Sequence, residues 1–154
     1  MQKEIVVDTS VILDILVTTR PGHRFAKLIG VYLIDNDIRI TVPLHALFEI
    51  KSGLLEAKKD ASAIGDELKL NEDVSEGTPL KYNFLPIDTA FFDKYFDAEL
   101  PHIKAGDYMY VTVAKNNGLT LLTEDSTQYA VAKEAGVTVY NIEEFRKICL
   151  SALQ

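Results

Sequence analysis

Short β-branched runs alternate with helix-spaced apolar stretches along this chain, and that alternation restricts the available folds more than any other feature. Ile5-Val6-Val7 reads as a buried strand ending at Asp8. Ser10 to Val17 follows with Ile12, Leu13 and Leu16 at helical spacing, capped by Thr9 or Ser10. Pro21-Gly22 marks a turn. His23 to Asp35 then places Phe25, Leu28, Ile29, Tyr32 and Leu33 on one helical side. Ile38 to Val42 is a second strand, and Pro43 suits the first turn of a helix with Leu44, Leu47, Phe48, Leu54 and Leu55 as its stripe. Ala61 to Leu70 reads as a further helix and Glu72 to Asn83 as a loop.

The second half repeats the pattern. Phe84 to Ile87 is a third strand, weakened by Pro86. Asp88 or Thr89 caps a helix carrying Phe91, Phe92, Tyr95 and Phe96, and Pro101 breaks the chain. Ala105 to Asn116 is a helix closed by Asn117-Gly118. Leu119 to Thr123 is a fourth strand, Ser126 to Ala135 a helix stopped at Gly136, Val137 to Tyr140 a fifth strand and Ile142 to Leu153 a last helix. The connections are too long for hairpins. The expectation is therefore an α/β fold: a five-stranded, mainly parallel sheet flanked by helices on both faces. At 154 residues the chain supports one domain, 1–154.

Several classes are disfavoured. No apolar stretch reaches the roughly 18 residues needed to span a bilayer, so no membrane is expected. MQKEIVVD lacks signal-peptide anatomy, and the lone Cys149 offers neither a disulfide framework nor a zinc cluster. A reducing, cytoplasmic setting is expected. The net charge of −7 argues against a phosphate-binding surface, but residues 60–76 alone hold a net −5 and leave −2 for the rest.

In open parallel sheets, sites lie at the carboxyl ends of the strands. Asp8 ends the first strand, and Asp125 stands just past the fourth in LLTEDS. Asp107 opens the helix before the fourth strand, and Glu49 sits on the helix after the second. Singly, each has an ordinary reading: Asp8 and Asp125 as helix caps, Asp107 as a complement to a helix dipole, Glu49 as a solvated helix residue. Together they change the argument. Carboxylates gathered in one cleft repel each other, and desolvation adds to the cost. Such a cluster needs a cation. Hard oxygen ligands suit Mg²⁺ or Mn²⁺, and hydroxyls such as Thr9, Ser10 and Thr123 would orient metal-bound waters or the carboxylates themselves. Beside a phosphodiester, a divalent ion activates water and stabilises the leaving oxygen.

VVDTSVIL, ALFEI and KAGDYMYVTVAKNNGLTLLTEDS resemble the PIN-domain nucleases. In the last block Asp107, Ala114 and the Leu121-x-Thr123-x-Asp125 run follow that family's order and spacing, and the resemblance spans residues 4 to about 141. It implies a single PIN-like domain acting as a Mg²⁺- or Mn²⁺-dependent ribonuclease. Asp8, Asp107 and Asp125 match the principal metal ligands, Glu49 the fourth acid, and Thr123 the hydroxyl position before the last acid. Many small members resemble the VapC toxins of toxin–antitoxin pairs, which implies a homodimer and an antitoxin protein as partner. Two departures stand out. Ser126-Thr127-Gln128 occupy a place where a basic residue is common, and Lys59 to Asn83 is long for a minimal toxin. A binding module that keeps the fold without activity is the alternative reading.

Candidate phosphate-positioning bases are Arg20, Arg24, Lys51, Lys104 and Lys115. Tyr108 and Tyr110 are expected in the helix core rather than stacked on bases. His23, His45 and His102 share no ligand spacing. A signalling receiver is disfavoured because only Asp8 follows the first strand and no late strand ends in Lys. A phosphatase of the DxD type is disfavoured by DTS, and no Walker-type glycine loop appears.

Overall fold

The computed structural model describes residues 2–58 and 80–154. The helix expected over 61–70, the acid-rich run 60–76 and most of the loop expected over 72–83 lie outside the described residues. Five strands form the sheet: β1 (Glu4–Val7), β2 (Arg39–Pro43), β3 (Tyr82–Leu85), β4 (Leu121–Leu122) and β5 (Val139–Tyr140). Their order is β3-β2-β1-β4-β5, and every neighbouring pair is parallel.

The described helices are α1 (Thr9–Leu16), α2 (His23–Asp35), α3 (His45–Lys58), α4 (Thr89–Tyr95), α5 (Ala105–Asn117), α6 (Ser126–Glu134) and α7 (Ile142–Ala152). One group packs α1 on α2 and α3, and α2 on α7. A second packs α5 on α4 and α6 and across β1 and β2. Right-handed crossovers explain the division. The chain runs outward from β1 through β2 to β3, then crosses back to β4 and β5. The helices of the return path therefore cover the opposite face.

The central strands are apolar because both faces are covered. Val6, Val7, Ile40, Val42, Leu121 and Leu122 are fully buried, each contributing roughly 1.5–3 kcal/mol. On one face α1 comes very close to its neighbours. A side chain at Gly30 would meet Ile15 at 2.7 Å, and one at Gly53 would run into Leu13. At the far end of α5, Gly118 takes the left-handed conformation (φ 61°) that ends the helix. Cys149 is buried in the core, which pushes its thiol up to about 11. Ile142 and Phe145 are buried with it, so the α7 stripe is core. No described helix is long and apolar enough to cross a membrane.

Three expectations are corrected. Pro43 closes β2 rather than opening a helix, paired in register with Leu85 while the next amide, Leu44 N–H, donates to the Leu85 carbonyl. A proline at the end of a strand removes no ladder bond that the following residue does not supply. The inward face of α3 is Ala46, Ile50 and Leu54; Phe48 and Leu55 are exposed. That helix is apolar on two sides, and hydropathy alone does not say which side meets the sheet. The N-cap of α1 is Asp8, not Thr9 or Ser10.

Candidate active site

The strand order places a switch point between β1 and β4, where the chain leaves β1 in opposite directions. Crevices form outside the carboxyl ends of such strands. Asp8 and Thr123 follow β1 and β4 directly, and their main chains are in register there: Asp8 N–H donates to the Leu122 carbonyl at 2.9 Å.

Asp8 occupies the N-cap position of α1, yet its side chain caps nothing. The amides of Val11 and Ile12 go to its main-chain carbonyl instead. Its Oδ2 accepts from the Thr123 hydroxyl at 3.1 Å and the Ser10 hydroxyl at 3.2 Å. Only 8% of Asp8 is exposed. Burial raises its proton affinity, the Thr123 and Ser10 hydroxyls oppose the rise, and the charge of Asp107 adds to it.

Thr123 is fully buried and uses its hydroxyl twice. It donates to Asp8 and accepts from the Asp125 N–H at 3.0 Å. Asp125 caps α6, its Oδ1 accepting from the Gln128 N–H at 2.8 Å. Gln128 is also fully buried. Its Nε2 donates to Asp107 Oδ1 at 3.3 Å, and its Oε1 has no partner. Two buried polar residues thus join three aspartates that are far apart in sequence.

Asp107 lies in the first turn of α5. Its carboxyl is raised by desolvation and by Asp125, against the nearby charges of Lys104 and His45. Lys104 immediately precedes α5 as its N-cap, so it acts on Asp107 from one turn away. Glu49 stands apart. It is 47% exposed, and its proton affinity is raised by desolvation, lowered by a hydrogen bond from Thr9 and raised by Asp107. Asp107 is therefore the acid whose charge both Asp8 and Glu49 feel.

His45 is a neighbour that the sequence reading set aside. Its Nε2 lies 3.2 Å from Glu49 Oε1, too poorly aligned for a hydrogen bond, and both ring nitrogens are buried without partners. Burial lowers its proton affinity against the pull of Asp107 and Asp8. The ring packs 5.2 Å from that of Tyr110. Tyr110 is buried as expected, bonded through its hydroxyl to Thr9, and burial raises its phenol well above the ordinary value. The signal for His45 was its i, i+4 spacing from Glu49 on one helix. The signal for Gln128 was its place three residues after a capping Asp.

The expected bases divide. Arg20 Nε donates to Asp14 Oδ1 at 2.7 Å, and Lys115 lies 2.6 Å from Asp97 at the far end of α5. Neither stands free for phosphate. Lys51 also has an interaction partner. Tyr108 bonds through its hydroxyl to the main chain of Asp97. Among the described residues, no three Asp, Glu, His or Cys side chains converge into a ready metal site. The acids meet through shared hydrogen-bond partners and charge rather than around one point.

A family model described as PIN domain matches residues 5–134. A solved structure described as a domain of a functionally unknown protein from Methanocaldococcus jannaschii DSM 2661 is 24% identical, with a TM-score of 0.50 and 90% of each chain covered. That likeness concerns the fold. No curated protein matches.

Proposed function

This chain belongs to the PIN-domain family, and from that premise we propose that it is a divalent-metal-dependent ribonuclease hydrolysing RNA phosphodiester bonds. PIN domains are generally nucleases acting on RNA or DNA. The observation that carries the finer reading is the linkage of Asp8, Asp107 and Asp125 through Thr123 and Gln128 at the sheet's switch point.

The residues fit a hard divalent cation in two respects. Their donor atoms are carboxylate oxygens, the ligands that Mg²⁺ and Mn²⁺ prefer. Asp8, Asp107 and Glu49 all have raised proton affinities, a cost that a cation relieves. Asp8, Asp107 and Asp125 would hold the ion, and Glu49 would complete the pocket. When bound, such an ion supplies Lewis-acid chemistry, acidifying water and offsetting charge on the phosphate oxygens. The chain's part is positional. Thr123 fixes Asp8, Gln128 fixes Asp107, and Glu49 is the acid with room to take a proton from water.

A labelled single-stranded RNA incubated with Mg²⁺, Mn²⁺ or EDTA tests the proposal. Cleavage is expected with metal, and not with EDTA or with Asp8→Asn or Asp107→Asn. Cleavage that survives EDTA or both substitutions sinks it. The inactive binding module has one observation in its favour, the lack of a converged three-residue site among the described residues. It gains if metal binds and no RNA is cut. As a finer form we propose the toxin of a VapBC-type pair, a cytoplasmic homodimer held inactive by an antitoxin protein. A small open reading frame immediately upstream supports that form, and its absence counts against it.

A further inference from the structure

The acidic pocket still lacks a partner for the rest of an RNA strand, since Ser126-Thr127-Gln128 supply no base after Asp125. Two guanidiniums outside the pocket are not paired off among the described residues. Arg24, in the first turn of α2, has its Cζ 4.4 Å from the centre of the Phe25 ring. Arg146, from α7, reaches over the same ring at 5.1 Å. Among the described residues neither arginine has an ion-pair partner, and Arg146 Nε is buried without an acceptor.

Arg146 and Phe25 line a groove of about 580 Å³ together with Asp14, Glu124 and Glu143. Two of its three carboxylates face a cation, and the third is tied to a main-chain amide. Asp14 is held by Arg20, Glu143 lies 3.5 Å from Lys147, and Glu124 Oε1 accepts from the Ile142 N–H at 2.7 Å. The groove adjoins the acids on two sides. Glu124 is the residue before Asp125, and Arg20 Nη2 comes within 3.5 Å of the Ser10 carbonyl.

We infer that Arg24, Arg146 and Phe25 form a subsite for a nucleotide flanking the cleaved bond, with the guanidiniums taking its phosphate and presenting their planes to its base, and the Phe25 ring backing them. This rests on the ribonuclease reading. Guanidinium is the side-chain group best shaped for phosphate. Unpaired bases stack on guanidinium planes as on aromatic ones, and the Phe25 ring holds both guanidiniums at a surface where it is itself 39% exposed. An acidic peptide would match the charge of the arginines but would have no use for the stacking planes.

The test is the affinity of the full chain for a labelled single-stranded oligouridylate, measured in EDTA across a range of salt. Arg24→Gln with Arg146→Gln is expected to weaken binding about tenfold and to lower the salt slope by about one to two. The double Lys variant restores the slope but not the full affinity. Phe25→Leu weakens binding about fivefold with the slope unchanged. Because Arg146 is partly buried, Arg24→Gln alone serves as a fold-safe control and loses part of the same affinity.

Affinity and slope within twofold of wild type in these variants overturn the inference, as does a wild type that binds no RNA at low salt. Arginine-dependent binding of a polyglutamate peptide in place of RNA also overturns it and assigns the groove to a protein partner. A wild type that binds RNA through these arginines yet cuts none keeps the subsite and sinks the nuclease. Metal-dependent cleavage with KM unmoved by the substitutions does the reverse.

Discussion

Two corners of the acidic edge are built differently. At the β1–β4 corner, Asp8, Asp125 and Asp107 hang on two fully buried polar residues, Thr123 and Gln128. At the β2–α3 corner, Glu49 is about half exposed and leans on His45 and Thr9. The first corner is fixed by hydrogen bonds that water cannot replace without exposing the core. In the second, buried partners hold a glutamate that is itself half in solvent, where charge interactions are weakened by the higher effective dielectric. The contrast is between three aspartates in fixed places and a glutamate whose carboxylate has room to move.

The harshest way to break this contrast is to neutralise the fixed corner. Asp107→Asn removes the charge to which Asp8 and Glu49 respond while keeping an oxygen for Gln128. Metal-dependent RNA cleavage should fall by about a thousandfold, the scale of losing one preorganised electrostatic group. A rate assay under single-turnover conditions checks it. Thr123→Val is next. It keeps the shape but leaves Asp8 Oδ2 and the Asp125 N–H short of a partner. The chain should lose about 1–3 kcal/mol of stability, visible in denaturant unfolding, together with much of the cleavage. Full activity in this variant would show that the three aspartates do not need their shared anchor.

Proton linkage sharpens the comparison from another direction. Asp8 and Asp107 have folded-state pKa values raised above those of the unfolded chain. Groups of that kind contribute stability that is fully present below the unfolded value and is lost as pH rises through the folded one. Metal-free protein should therefore become less stable as pH climbs out of the ordinary carboxylate range. Added Mg²⁺ should flatten that loss, because a cation takes the place of the proton. Unfolding midpoints against pH, with and without Mg²⁺, provide the check. Asp8→Asn should remove more of the slope than Glu49→Gln, since Asp8 is the more deeply buried acid.

Much of this architecture was legible in the residues, for physical reasons. β-branched runs such as Ile5-Val6-Val7 show up because a doubly covered strand must be apolar throughout. The placement of Asp8 and Asp125 at one edge was legible because each stands just past a strand, and in a parallel sheet those ends share an edge. Strand order was not, since no periodicity tells β4 to pair with β1 rather than with β3. The inward side of α3 was misread because Ala46 carries little hydropathy and Phe48 a great deal. Gln128, His45 and Arg146 stayed hidden for a different reason. Each meets a partner that only folding brings to it: Gln128 meets Asp107, His45 meets Tyr110, and Arg146 meets Phe25. Spacing along the chain records such contacts only where both partners share one helix, as His45 and Glu49 do.

The mildest substitution bears most directly on the contrast. Glu49→Gln keeps the size of the side chain and its place opposite His45, and removes one exposed charge. If the glutamate serves as an adjustable proton acceptor at the mouth of the pocket, cleavage should drop about tenfold to a hundredfold, within the usual contribution of general acid–base catalysis. The loss should shrink as pH rises, because hydroxide then replaces the missing base. Metal affinity, followed by calorimetry with Mn²⁺, should change little. A loss equal to that of Asp107→Asn, with metal binding abolished, would place Glu49 among the fixed ligands. The exposed position seen for it would then be one that the bound ion draws inward, and the two corners would work as a single site.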